Sequence, residues 1–421
     1  MNQKSTSIET VLGELNPPQR EAACHGPSPL LIVAGAGTGK TTTLAHRVAW
    51  LIHEGTDPSR ILLLTFTRRA SAEMLRRVEA ILRQLEGGRG GTPRVHTGLG
   101  RHVPLDRHSA AETFRADDRL PSEFSILDRG DSEDLMASLR NELGLGETGR
   151  RFPKKGTCAA IYSRVVNTQT SLREVIEHAF PWCAEDLDGL GELFAAYVDR
   201  KEVQHCLDFD DLLVFWEALL DDPGAGPAVR KLFDCVLVDE YPDTNRLQSR
   251  LLKGLCPDGV GLTAVGDDAQ SIYSFRAATI RNILDFPEEH PDTTVVPLEQ
   301  NYRSTQPILE ATNRVIAQAS QRHTKTLWSD RTTGERPVLV NCTDEDEQSD
   351  FVVEEVLARR EEGVALKDQA VLFRASHHSL ALEVELAQRN VPFHKYGGLR
   401  FLETAHIKDL LAFPETRRQP P

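Results

Sequence analysis

The stretch Leu30-Leu31-Ile32-Val33-Ala34-Gly35-Ala36-Gly37-Thr38-Gly39-Lys40-Thr41 constrains this chain more than any other. Its first four residues read as a short buried strand, and Leu44, Val48 and Leu51 beyond it recur at helical spacing. The segment therefore predicts strand, loop and helix. Such a loop turns backbone N–H groups toward a phosphate, while the helix N-terminus adds positive potential. Ala34, Gly35, Ala36, Gly37, Thr38, Gly39, Lys40 and Thr41 would form the cradle, Lys40 reaching the β- and γ-phosphates and Thr41 ligating Mg²⁺. Ala34 stands where the strict pattern has Gly, but the later glycines still let backbone approach the phosphates. A Gly-rich turn that binds nothing is the plainer reading of this segment alone, so a second signal is required.

A phosphate loop works with a carboxylate on a neighbouring strand that holds the metal and orients water. The run Phe233-Asp234-Cys235-Val236-Leu237-Val238 predicts such a strand and ends in Asp239-Glu240. Asp239 then falls near Mg²⁺, and Glu240 is left to position or activate the attacking water. A third run, Leu262-Thr263-Ala264-Val265, leads into Gly266-Asp267-Asp268-Ala269-Gln270. Together these strings predict an α/β P-loop NTPase. The 421 residues, 40% hydrophobic and 27% charged, suffice for two or three domains. No apolar stretch approaches the roughly 20 residues that cross a bilayer. Residues 1–10 lack the order of a secretory signal, so the expected location is cytoplasmic. The seven cysteines include no C-x-x-C pair, which argues against a zinc site or a disulfide framework.

Further strings, in a consistent order, resemble the UvrD/Rep/PcrA-type superfamily 1 DNA helicases. Leu15-Asn16-Pro17-Pro18-Gln19-Arg20-Glu21-Ala22 resembles the family's Q motif. Thr65-Phe66-Thr67 is similar to motif Ia, with Arg68 in place of the usual Asn. Residues 239–245 resemble motif II with Pro242 in place of Gln; 266–276 resemble motif III and 298–304 motif IV. Gly397, Gly398, Phe401, Glu403, Ile407, Lys408 and Asp409 match a further family string. The resemblance implies an ATP-dependent helicase moving 3′ to 5′ on single-stranded DNA, with single-strand/duplex junctions as substrate and DNA-repair proteins as partners. It also implies roles. Gln19 reads the adenine, Tyr302 stacks on it, and Arg303 reaches the γ-phosphate from the second motor domain as an arginine finger. Gln270 couples the γ-phosphate to DNA movement. Phe66, Tyr273, Phe275 and Arg276 line the single-strand track, where aromatic faces stack on any base. Outside the motif context, core packing is the plainer reading of those aromatics. The net charge of −14 requires the track to be local.

The implied architecture is a RecA-like parallel-sheet domain in two pieces, 1–90 and 205–288, with a helical insertion at 91–204 and a partial second RecA-like domain at 289–421. Periodic runs at 172–180 and 187–198 predict insertion helices. Pro287 and Pro291 mark the expected crossing, and Val338-Leu339-Val340 and Ala370-Val371-Leu372-Phe373 are expected strands. Two places depart from the family. The polar, aperiodic region 94–120 lacks the Trp-x-Gly-Thr-Phe-His-like motif Ib, being either a divergent loop or a reading-frame slip. A one-base shift lets it encode Trp-Ala-Gly-Thr-Phe-His-Ser, and the slip is the expectation. A similar shift over 414–420 restores a family-like continuation. Motifs V and VI are expected to be missing, so the chain is expected to bind Mg-ATP weakly and not to unwind DNA. A non-catalytic ATP-binding remnant or interaction module is the alternative.

Overall fold

The computed structural model describes residues 7–65, 67–85, 95–97, 124–146 and 152–396. Phe66, the region 98–120 and the string from Gly397 onward therefore lie outside the described residues, as does the side chain of Arg276. By contact, the chain divides into Met1–Arg336 and Pro337–Pro421.

The first unit is organised by a six-stranded sheet in the order β3-β2-β6-β7-β1-β8, with parallel pairings throughout. The strands are β1 (Leu30–Ala34), β2 (Ile61–Leu64), β3 (His96–Thr97), β6 (Cys235–Val238), β7 (Leu262–Gly266) and β8 (Thr294–Leu298). Alternate side chains point to opposite faces, and both faces are apolar. Leu30, Ile32, Ile61, Leu63, Leu237 and Val265 share one core with Leu44 and Val48 of α3 (Lys40–His53) and Met74 and Val78 of α4 (Arg68–Leu85). Leu31, Val33, Leu62, Val236, Val238 and Ala264 share the other with Trp216 of α9 (Phe209–Asp221), Leu251 of α11 (Arg246–Leu255) and Phe286 of α12 (Arg281–Glu289). Because the strands are parallel, the segments after β1, β6, β7 and β8 all emerge at one edge. The helix after β1 covers one face and the helix after β7 the other, which opens a crevice between these neighbouring strand ends.

The insertion has its own core. Met136, Leu139, Ile161, Val175, Leu190 and Tyr197 pack together from α5 (Arg129–Glu142), α6 (Lys155–Thr168), α7 (Leu172–Ala179) and α8 (Leu187–Val203). A short parallel pair, β4 (Ser125–Ile126) with β5 (Cys206–Leu207), brings its entry and exit side by side.

The contact division falls at 336/337, with β8 paired to β1 along its whole length in the first sheet. Two expectations change here. Pro287 does not interrupt the chain but sits inside α12, whose Ile283 and Phe286 are buried in the first unit. Residues 338–340 and 370–373 form no strand, since no described residue offers them a ladder partner. Leu339 and Leu372 are 88% and 93% exposed. Within the second unit, Val353 of α14 (Glu345–Glu361) packs on Leu382 and Leu386 of α15 (Leu380–Gln388).

Candidate nucleotide site

The loop leaving β1 can be built only with glycine at two points. Gly37 and Gly39 take φ of +80° and +86°, in the left-handed region. A Cβ on Gly37 would lie 2.6 Å from the Arg303 Cβ, and one on Gly39 2.6 Å from Gln19 Nε2. The loop is thus packed between the Gln19 segment and residues 301–303. Thr38 Oγ1 donates to the Gly35 carbonyl at 2.8 Å and closes the turn. Lys40 and Thr41 then open α3, at the positive end of its dipole.

Gln19 lies on α2 (Pro17–Ala23), which Asn16 caps. Its Oε1 accepts from Asn16 N at 3.1 Å, and its Nε2 donates to the Thr38 carbonyl at 2.9 Å. One N–H and one lone pair of the amide remain uncommitted. Beyond β8, Asn301 is buried; its amide donates to the Ala36 carbonyl, and its Oδ1 accepts from Arg303 N and Ser304 N at 2.9 and 2.7 Å. Tyr302 N donates to the Gly37 carbonyl at 2.9 Å, while its hydroxyl accepts from Asn16 Nδ2 at 2.9 Å. Arg303 therefore belongs to the same packing unit as the loop and does not arrive from the second one. Its side chain is exposed, and its guanidinium makes no hydrogen bond or ion pair with any described residue.

The end of β6 supplies the acids. Asp239 N bonds back to Leu64 O at 2.8 Å, after which Glu240 turns into the left-handed region at φ +52°. That turn brings Glu240 Oε2 to 3.1 Å from Lys40 Nζ, whose side chain is only 10% exposed. Burial, and then the neighbouring Glu240 charge, push the Asp239 carboxyl up to about 6, with Lys40 opposing. Asp243 is pushed to about 6 by the same two causes. Pro242 packs onto the end of β7, where a Cβ on Gly266 would come within 2.1 Å of its Cδ.

Among the described residues no cluster of three or more His, Cys, Asp or Glu side chains could hold a metal by itself. Thr41 and Asp239 offer two hard oxygen donors in a neighbourhood crowded with negative charge. That donor set fits Mg²⁺, which is commonly held by one or two protein oxygens with phosphates and water completing the shell.

After β7, Gln270 Nε2 donates to Asp267 Oδ2 at 2.5 Å. Tyr273 is partly buried and Phe275 is 66% exposed, with ring centroids 5.7 Å apart. Sequence reasoning assigned no role to Asp243, Asn301 or Lys325. The first two lay inside quoted motif strings and could have been picked out as polar residues beside the assigned ones. Lys325 had no local signal.

The sheet edge and its loops define a P-loop nucleotide-binding domain with a RecA-like sheet. Residues 15–291 match the UvrD/REP helicase N-terminal domain, and residues 296–417 the UvrD-like helicase C-terminal domain. The chain belongs to the UvrD/REP helicase family. It is 39% identical to ATP-dependent DNA helicase UvrD1 of Mycobacterium tuberculosis, an alignment spanning 96% of this chain and 52% of that protein. It is 35% identical to DNA helicase II of Escherichia coli and 33% identical to ATP-dependent DNA helicase PcrA of Staphylococcus aureus, each over 96% of this chain and 54% of the relative. The chain thus spans about half the length of the curated relatives it matches. Among the described residues no helix is long and apolar enough to cross a membrane.

Proposed function

We propose that this chain is the ATP-driven core of a DNA helicase that moves 3′ to 5′ along single-stranded DNA, acting in the cytoplasm at single-strand/duplex junctions in repair or replication, with DNA-repair proteins as partners. The observation that carries this reading is the convergence of Lys40 and Glu240 at 3.1 Å beside a loop shaped by two left-handed glycines. Lys40 and the loop N–H groups bind the β- and γ-phosphates. Bound through Thr41 and Asp239, Mg²⁺ would neutralise phosphate charge. Glu240 orients the attacking water and accepts its proton. Arg303, with an uncommitted guanidinium, adds positive charge at the γ-phosphate. Gln19 keeps one donor and one acceptor for the adenine edge, and the Tyr302 ring stacks on the base. Gln270 senses the γ-phosphate, and Tyr273 and Phe275 stack on successive DNA bases.

ATP hydrolysis with and without a single-stranded oligonucleotide tests this. Because the phosphate loop, the acids and Arg303 share one packing unit, we expect turnover in place of the inactivity that the missing motifs imply. Wild type should turn over faster with DNA, whereas Glu240→Gln should bind a fluorescent ATP analogue normally yet lose about 10²–10⁴-fold in kcat. Tight binding without turnover by wild type would make the chain a non-catalytic nucleotide-binding module. Translocation without strand separation would make it a translocase only.

A further inference from the structure

The geometry points to Lys325 as a positioning residue for Gln270. It braces Asp267 and Asp268 so that Asp267 presents a fixed acceptor to the Gln270 amide, and the inference rests on the reading that Gln270 senses the nucleotide. The Lys325 ammonium lies 2.8 Å from Asp267 Oδ1 and also bonds Asp268 Oδ1. The three side chains are 5%, 4% and 1% exposed. Two adjacent carboxylates at this depth require a cation, and Lys325 supplies it.

The remaining oxygens are spoken for. Asp267 Oδ1 also accepts from Ala269 N at 3.1 Å, and its Oδ2 accepts from Gln270 Nε2. Asp268 Oδ2 accepts from His323 N at 3.2 Å. Each carboxylate is therefore held at both oxygens, Asp267 by its own loop and by Lys325, Asp268 wholly by the 323–325 segment, with Lys325 bonded to both. Removing the ammonium would leave two negative groups facing each other and free the acceptor that orients Gln270.

The same short segment also touches the other loops of the crevice. Leu327 packs where a Gly35 Cβ would come within 2.6 Å of its Cδ2. Trp328 N donates to Glu299 O at 3.1 Å, and its carbonyl accepts from Asn301 N at 2.7 Å. Residues 323–328 thus strap together the phosphate loop, the segment after β7 and the segment after β8, and Lys325 is the charged pin of the strap. A change at Lys325 should disturb Gln270 without removing any group that binds the phosphates.

The test combines a spectroscopic and a kinetic arm on the whole chain. In glutamine-¹⁵N-labelled protein, the Gln270 side-chain amide pair is assigned by its loss in Gln270→Ala. Lys325→Met should move that pair toward the position of a free glutamine amide, and Lys325→Arg should retain it. Should Lys325→Met fold poorly, Asp268→Asn combined with Lys325→Met removes one charge of each sign and provides a folded comparison. In DNA-stimulated ATP hydrolysis, Lys325→Met should lower kcat about tenfold or more while KM for ATP stays within about twofold. On a Gln270→Ala background it should cost nothing further, because both changes disable the same group. An unmoved amide pair in a folded Lys325→Met protein overturns the proposal. Full additivity of the two losses does the same. A displaced amide pair together with no DNA-stimulated hydrolysis in wild type would sustain the positioning role and reject the motor reading instead.

Discussion

The charge of Lys40 opposes the burial and like-charge repulsion acting on Asp239 and Asp243. Replacing it with alanine should cost about 10²–10³-fold in ATP turnover, the usual loss when a transition-state charge donor is removed. Asp239 makes a pH prediction whose sign follows from its raised value of about 6. The charged form is disfavoured in the folded protein, so its contribution to stability is fully present below the unfolded carboxylate range and lost as pH rises through about 6. In EDTA, wild type should therefore gain about 1 kcal/mol relative to Asp239→Asn between pH 7 and pH 5, measured by urea denaturation. Mg²⁺-dependent nucleotide binding should move the other way and weaken below about pH 6, because the proton competes for the metal's oxygen donor.

Individual elements are held at the site by a few buried polar bonds. Arg47 on α3 is 2% exposed and donates to Thr263 Oγ1 on β7 and to the carbonyls of Ala22, His25 and Gly26 at the end of α2. It thereby ties the Gln19 helix to the strand between the phosphate loop and the acids, although burial lowers its pKa to about 10. Arg47→Met keeps the stem but strands those carbonyls, and should destabilise the fold by roughly 2–4 kcal/mol in chemical denaturation. The phosphate loop is equally intolerant. Gly37→Ala adds a Cβ 2.6 Å from that of Arg303 at a left-handed φ, so nucleotide binding should fall sharply and the fold should lose about 1–3 kcal/mol in chemical denaturation.

Across the molecule, the formal charge of −14 sets how DNA can be held. With repulsion as the background, the proposed single-strand track needs local cations and stacking on Tyr273 and Phe275. Alanine at either aromatic should weaken single-strand binding by about 1–3 kcal/mol while leaving the slope of affinity against salt unchanged, since stacking releases no counterions. The insertion also reaches the crevice through hydrogen bonds. Asn167 on α6 accepts from Asn245 Nδ2 at 2.7 Å, and Asn245 caps the helix that follows the acidic turn.

What the chain determined locally was read correctly where chemistry and periodicity coincide. Short apolar runs at 30–33, 235–238 and 262–265 became central strands because both of their faces are buried, and glycines at 37 and 39 announced a backbone that only glycine adopts. The helices at 172–179 and 187–203 followed from spacing in the same way. Runs at 338–340 and 370–373 have the same apolar character but form no strand, because a strand exists only with a partner and periodicity says nothing of partners. Tertiary structure alone decided that β8 closes onto β1, carrying Arg303 into the phosphate-loop unit, and that Lys325 meets Asp267 and Asp268 in the segment after β7. Such pairings join residues far apart in the chain, and they arise when a parallel sheet brings distant loops to one edge. A local pattern names the groups that can react, whereas only the order of the strands decides which of them meet.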